Sequence, residues 1–77
     1  MVTAVVLIKA ETDKVTELAE QLADLDGVSE VFSVAGQYDL VALVRVRENE
    51  DLARVISGQV RKMPGIQGAT WMNWFGA

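Results

Sequence analysis

The chain has 77 residues, contains neither cysteine nor histidine, and carries 11 acidic against 7 basic residues, a formal net charge of −4. This length allows one domain with a marginal core, and the missing cysteine excludes a disulfide framework or a thiolate zinc site. Histidine is the commonest metal ligand and general base, and the chain has none. The negative charge argues against binding nucleic-acid phosphates or an anionic membrane. We therefore predict a domain that is not an enzyme, with no catalytic residues, metal or cofactor. The apolar start has no basic residues before it, unlike a signal peptide, so a cytoplasmic protein is expected.

The first third of the chain predicts a strand followed by a helix. Val2 to Lys9 is a continuous apolar run rich in β-branched residues, typical of a strand buried on both faces. Thr12 or Asp13 is the expected N-cap of the helix, and Gly27 is expected to cap its C-terminus. The apolar side chains of this helix recur every three or four residues, as one buried stripe requires: Val15, Leu18, Ala19, Leu22 and Leu25.

The middle of the chain predicts a hairpin. A second strand is expected over Val28 to Ala35, a turn at Gly36-Gln37, and a third strand over Leu40 to Val46. A turn this short makes the two strands antiparallel neighbours. Val28 and Phe32 are separated by an even number of residues, so both are expected on the same face of the second strand.

The last third predicts a second helix and a fourth strand. The second helix is expected to begin at Asn49, its N-cap, and to end at Pro64-Gly65. The fourth strand is expected over Ile66 to Phe75. Gly58 interrupts the helix at a cost of about 1 kcal/mol relative to Ala. The apolar stripe of this helix contains Leu52, Val55, Ile56, Val60 and Met63.

The order β-α-β-β-α-β predicts an α+β, ferredoxin-like domain. The right-handed crossover rule places both helices on one face of a four-stranded antiparallel sheet. A weak internal repeat supports this order, because Asp26-Gly27-Val28 and Pro64-Gly65-Ile66 each follow a helix and precede a strand.

The face of the sheet that the helices leave open is expected to be apolar. The runs Ala4 to Ile8 and Leu40 to Val44 are apolar at both parities, whereas a strand with one wet face alternates. An apolar face of this kind marks an interface, and a second sheet packed across a two-fold axis is the simplest partner. We therefore expect a dimer of the dimeric α/β-barrel type. The alternative is that a few of these residues are tolerated at the surface.

The segment Gly36-Gln37-Tyr38-Asp39 is the strongest candidate for a binding site. Glycine lets a ligand approach the backbone, and unpaired N–H groups at such a turn can cradle a carboxylate. Tyr38 offers a flat wall, and Asp39 can receive an ammonium group. These features match the two charged ends of an amino acid. The alternative is an ordinary hairpin in which Asp39 bonds its own turn.

Three segments carry a resemblance to a known family. Leu25-Asp26-Gly27-Val28, Gly36-Gln37-Tyr38-Asp39-Leu40 and Met63-Pro64-Gly65-Ile66 stand in the order and spacing of the effector domain of the leucine-responsive/asparagine regulator (Lrp/AsnC) family. This effector domain is called the RAM domain, for regulation of amino-acid metabolism. The chain resembles it over nearly its whole length.

The resemblance implies a regulatory module that binds an amino acid or a similar small effector where dimers meet. It implies further assembly into rings such as octamers or decamers, and possible assembly with full-length Lrp/AsnC regulators. The implied ligand-binding residues are Gly36, Gln37, Tyr38 and Asp39, with Thr70 as a further polar contact. The family's DNA-binding helix-turn-helix has no counterpart here, so residues 1–77 are expected to form a stand-alone domain that does not bind DNA.

Three other readings of the chain stay open at this point. It could be a purely structural partner of full-length regulators, a dimeric α/β-barrel enzyme with another ligand, or an ACT domain, which shares the element order and binds amino acids. The bulky end of the fourth strand also departs from the family. Trp71 and Phe75 are expected on one face and Met72 and Trp74 on the other, where they either pack or form an apolar wall for a ligand.

Overall fold

The computed structural model describes residues 1–74, and they form four strands and two helices. The expected Phe75 end of the fourth strand lies outside the described residues. The strands are β1 (Val2–Ala10), β2 (Val28–Ser33), β3 (Leu40–Val46) and β4 (Ile66–Trp74), and the helices are α1 (Val15–Ala23) and α2 (Asn49–Val55). No helix in this part of the chain is long and apolar enough to cross a membrane.

The sheet has the strand order β2-β3-β1-β4, and every neighbouring pair is antiparallel. The two central strands contribute alternate, fully buried side chains to one core: Ala4, Val6, Ile8, Leu40, Ala42 and Val44. Leu18 and Leu22 of α1 and Leu52 and Val55 of α2 belong to the same core. Both helices therefore cover one face of the sheet, and the predicted ferredoxin-like fold is confirmed.

The internal repeat is confirmed as a pair of matching turns. The N–H of Val28 donates to the carbonyl of Leu25, and the N–H of Ile66 donates to that of Met63. Gly27 and Gly65 hold the third position of each turn, with φ of +93° and +98°, the conformation that a type II turn requires there. The prediction of Gly27 as a C-cap was wrong, because α1 already ends at Ala23 and the glycine belongs to the turn that follows.

Both predicted N-caps were also wrong. The residues Thr12–Lys14 form a 3-10 turn that leads directly into α1, and no side chain caps this turn. The N-cap of α2 is Glu48, one residue before Asn49. Asp51 accepts a hydrogen bond from the N–H of Glu48 at 3.2 Å, so the N–H of the N-cap residue is satisfied by a residue inside the helix.

Helix α2 does not continue regularly through the whole predicted stripe. Beyond Val55 the chain forms a π-helical segment, Ile56–Val60, in which the N–H of Arg61 bonds the carbonyl of Ile56. Gly58 lies inside this segment. The wider turn still keeps Ile56 and Val60 fully buried, so the apolar stripe is preserved.

The hairpin differs from its prediction in length and in the faces it presents. Strand β2 ends at Ser33, so a loop of residues 34–39 replaces the predicted two-residue turn. A β-bulge also places Ser29 as an extra residue between the pairs Val28–Val44 and Glu30–Leu43. Val28 therefore packs on the helix-covered core, whereas Phe32 pairs with Val41 on the open face. The even spacing of Val28 and Phe32 fails as a guide because the bulge changes the parity.

The open face has an apolar centre, as predicted, although Glu30 and Thr70 also lie on this face, opposite Leu43 and Leu7. Val5, Leu7, Val41 and Leu43 form its centre and are only half-buried by their own neighbours. Phe32 on β2 and Met72 and Trp74 on β4 extend this face to both edges, and their side chains are about half exposed. We call these seven residues the open apolar face.

Candidate functional site

The loop of residues 34–39 is attached at both of its ends. The N–H of Val34 donates to the carbonyl of Asp39 at 3.0 Å, which continues the pairing of β2 and β3 by one step. The N–H of Asp39 donates to the carbonyl of Ile8 in β1 at 2.9 Å. The loop therefore begins and ends on the sheet, and its middle residues project beyond it.

The Asp39 carboxylate anchors the loop to β1 rather than to its own turn. Its Oδ2 atom accepts a hydrogen bond from the N–H of Ala10 at 2.8 Å, in a half-buried position. Within residues 1–74 no hydrogen bond reaches the second oxygen, Oδ1. One carboxylate oxygen is thus held by the protein, and the other keeps its capacity to accept.

The middle of the loop has an unusual backbone and open donors. Gly36 has φ of +125°, a conformation that side-chain-bearing residues rarely adopt, and a Cβ atom there would have open space around it. In the described part of the chain no carbonyl accepts the N–H of Gln37 or Tyr38. Gln37 is exposed and Tyr38 is half-buried. Such donors beside a glycine can bind an anionic group.

Lys9, at the end of β1, is a contact of this loop that sequence reasoning missed. Its Nζ atom donates to the carbonyl of Gln37 at 3.2 Å. Lys9 is the sole charged residue of β1, a signal that could have marked it. Its partner could not be inferred from the sequence, because the contact depends on how the loop meets β1.

Thr70 does not join the loop within one subunit. It pairs with Leu7 on the far side of β1 and is exposed on the open side of the sheet. Asp39 meets β1 from the β3 side, at Ile8 and Ala10. The structure therefore brings Gly36, Gln37, Tyr38 and Asp39 together and leaves Thr70 one strand away.

The bulky end of β4 divides between the two faces of the sheet. Trp71 pairs with Val6 on the helix side, and the Arg61 guanidinium carbon lies 5.4 Å from the centre of its ring. Arg61 also donates from Nη2 to the carbonyl of Ala69 at 2.8 Å. A shallow hollow of about 300 Å³ lies beside this contact, lined by Arg61, Ile66, Gln67, Gly68 and Ala69. Met72 and Trp74 lie on the open apolar face.

Metal binding has no visible basis in the part of the chain that the structure describes. There, no group of three or more Asp or Glu side chains is arranged to hold an ion. The arrangement at the loop, with one anchored carboxylate and free N–H groups, is suited to holding a small charged molecule through hydrogen bonds.

Comparison with known proteins assigns the family. Residues 3–72 match the model of the Lrp/AsnC ligand binding domain. The chain is 37% identical over 67 residues to the HTH-type transcriptional regulator PH1916 of Pyrococcus horikoshii, an alignment that covers 83% of this chain and 45% of that protein. The chain thus spans about half the length of the curated relatives it matches.

Solved structures agree with this assignment. The crystal structure of TTHA0845 from Thermus thermophilus superimposes with a TM-score of 0.93 at 40% identity, covering 100% of this chain and 96% of that one. A transcriptional regulator from Neisseria meningitidis, solved as a complex with L-Met, has the same fold with a TM-score of 0.86 at 13% identity, over 97% of this chain and 50% of that one. On its sequence match and its fold, the chain belongs to the Lrp/AsnC ligand-binding domain family.

Proposed function

We propose that the chain is a regulatory module that binds an amino acid at the loop of residues 34–39 and modulates transcription through its assembly. The observation that carries the proposal is the Asp39 carboxylate, which Ala10 holds by one oxygen while Oδ1 stays open. An ammonium group can bind Oδ1 through a charge-assisted hydrogen bond. The N–H groups of Gln37 and Tyr38 are available for the carboxylate of the same ligand.

The open apolar face supports the assembly part of this proposal. Phe32, Met72 and Trp74 are 48%, 58% and 49% exposed in a single subunit. A second subunit packed sheet to sheet would remove these side chains from water. Burial of apolar area stabilises an assembly by about 25 cal/mol for each Å². We propose a two-fold dimer through this face, and association of dimers into a ring such as an octamer or decamer.

The ligand would lie where two dimers meet, with Thr70 as an additional polar contact. Because Thr70 and Asp39 stand on opposite sides of β1 in one subunit, a contact from a neighbouring subunit would be needed to bring both polar groups to one ligand. A ligand bound there would favour the assembled state by its differential affinity. In this proposal the chain acts in the cytoplasm, catalyses no reaction and does not contact DNA itself.

The likeness to the Neisseria regulator supports an amino acid as the ligand class, since that protein was solved with L-Met. The proposal is tested by a thermal-shift screen of the proteinogenic amino acids, with the D-enantiomers of the chiral ones as controls. We expect at least one L-amino acid to raise the melting temperature, because a ligand that binds only the folded state stabilises it. No shift from any of them would contradict the proposal.

Mixed assembly with full-length regulators is a second candidate function, favoured by the 37% identity to a regulator about twice as long. In a mixed ring, residues 1–77 would occupy positions without supplying a DNA-binding helix-turn-helix, and would thus dilute those of the full-length subunits. The PH1916 protein, co-expressed with this chain, is a suitable probe. Native mass spectrometry should then detect complexes that contain both chains, and only homo-oligomers would exclude the idea for this pair.

A further inference from the structure

The contact between Lys9 and the loop carries an inference that rests on the proposed function and extends it. Lys9 is the penultimate residue of β1, and its Nζ atom lies 3.2 Å from the carbonyl oxygen of Gln37. Gly36, at φ of +125°, directly precedes this residue. The Lys9 ammonium group therefore lies within hydrogen-bonding distance of the middle of the loop, at a solvent-exposed contact.

Lys9 and Asp39 do not form an ion pair with each other within residues 1–74. The ion pairs within residues 1–74 are Lys14–Glu17 and Asp51–Arg54, and neither includes a loop contact. Lys9 has three N–H donors and uses one on Gln37. Asp39 uses Oδ2 on Ala10 and keeps Oδ1. Two opposite charges with unused hydrogen-bonding capacity are thus attached to the same short loop.

We propose that Lys9 binds the α-carboxylate of the ligand while Asp39 Oδ1 binds its α-ammonium group. A zwitterion carries both charges within a few ångströms and satisfies the two side chains at once. A ligand that has only an amine or only a carboxylate pairs with one of the two side chains, and the other side chain stays hydrated. The site then selects for the free α-amino acid whatever its side chain. The N–H groups of Gln37 and Tyr38 supplement Lys9 at the carboxylate.

A purely positioning role for Lys9 is the competing explanation. In that case its hydrogen bond to the Gln37 carbonyl would orient the loop, and losing it would weaken every ligand of the site by a similar factor. A direct contact with the carboxylate instead weakens only ligands that carry one. Comparing each amino acid with its α-carboxamide therefore separates the two roles.

The test uses the whole chain and calorimetric titration with the proteinogenic amino acids and their α-carboxamides. For each acid that binds, we expect wild type to prefer it over its carboxamide by about tenfold or more, the scale of a charge-assisted contact. Lys9→Met should reduce this preference severalfold, with the affinity for the carboxamide nearly unchanged, because only the N–H groups of Gln37 and Tyr38 then favour the carboxylate. Lys9→Arg should retain part of the preference, and Lys62→Met, at an exposed lysine that follows the π-helical segment, should retain all of it.

Three outcomes would overturn the proposal. Unchanged affinities for both the acid and its carboxamide in Lys9→Met would show that Lys9 does not contact the ligand. An equal loss for acid and carboxamide would reduce Lys9 to a loop-positioning residue. Failure of wild type to bind any amino acid would overturn the proposed function together with this inference, and that result is distinct from the other two.

Discussion

The carboxylate of Asp39 accepts a hydrogen bond from the backbone N–H of Ala10, 29 residues earlier in the chain. This bond joins the loop of residues 34–39 to the end of β1, beside the bond from the Asp39 N–H to Ile8. A residue proposed to bind a ligand therefore also holds the fold. The two roles use different oxygens of one carboxylate, and two substitutions can separate them.

Asp39→Asn should weaken ligand binding more than it weakens the fold. The amide keeps an oxygen that can accept from Ala10 but loses the charge for an ammonium group, a change of about 1.5–3 kcal/mol in binding free energy. Asp39→Ala should in addition lower the free energy of unfolding by about 1–3 kcal/mol, because it leaves the Ala10 N–H without its partner. Calorimetric titration and urea unfolding measure the two effects. Equal ligand affinity in wild type and Asp39→Asn would restrict Asp39 to its structural bond.

Gly36→Ala should lower the free energy of unfolding by about 1–2 kcal/mol through backbone strain alone. Nothing lies within 4 Å of the position that its Cβ would take, so φ of +125° is the entire cause. Gly58→Ala is the matched control, since its Cβ also meets open space and its backbone is helical. That substitution should stabilise the protein by about 0.5–1 kcal/mol. Similar changes at both sites would contradict the assigned conformation of Gly36.

Gly65→Ala should destabilise the protein more than Gly36→Ala, by an amount on the order of 2–3 kcal/mol. Its φ is +98°, and a Cβ there would lie 3.2 Å from Leu18 Cδ1 and 3.2 Å from Lys14 Cβ. Strain and crowding therefore act together. Urea unfolding of both variants in parallel measures which one loses more free energy of unfolding. A smaller loss for Gly65→Ala than for Gly36→Ala would show that α1 shifts freely.

Leu43→Arg should dissociate the proposed dimer. Leu43 lies opposite Val5 at the centre of the open apolar face, so the charge would be buried against the partner sheet. Sedimentation at micromolar concentration should show at least a dimer for wild type and a smaller species for the variant. Ala53→Arg, on the exposed side of α2, is the control and should sediment as wild type. A folded wild-type monomer would remove the argument for this interface.

DNA binding by the pure chain should be undetectable at physiological salt. The net charge of −4 opposes binding to a duplex, because affinity for DNA comes largely from basic side chains that displace its counterions. A gel-shift assay with a duplex of random sequence should show no complex up to micromolar protein. A retarded band that disappears at higher salt would contradict this expectation.

The fold followed from the sequence because its main signals are repeated along the chain. The apolar runs of β1 and β3, the two helical stripes and the two turns at Gly27 and Gly65 all indicate the same arrangement. Errors occurred at the ends of elements, as with the caps at Asn49 and Thr12. A cap depends on which of several neighbouring polar residues reaches the first turn, and composition alone does not decide among them.

The candidate site was predicted in part, for a related reason. Gly36 and Asp39 are residue types that suit a turn and a charged ligand, so the sequence indicates them directly. The bond from Ala10 to Asp39 and the contact of Lys9 with Gln37 join residues far apart in the chain. They depend on the length of the loop and on its approach to β1, which no local pattern contains.

Because of the extra residue at position 29, the six-residue strand β2 places side chains of the same parity on both faces of the sheet. Val28 faces the helices while Glu30 and Phe32 face away from them, although all three have the same parity. An unbroken alternation would direct all three toward the same side, and either Val28 would leave the core or the Glu30 carboxylate would enter it. The extra residue Ser29 changes which side of the sheet the later side chains face, so Val28 joins the core under the helices and Phe32 lies on the open apolar face.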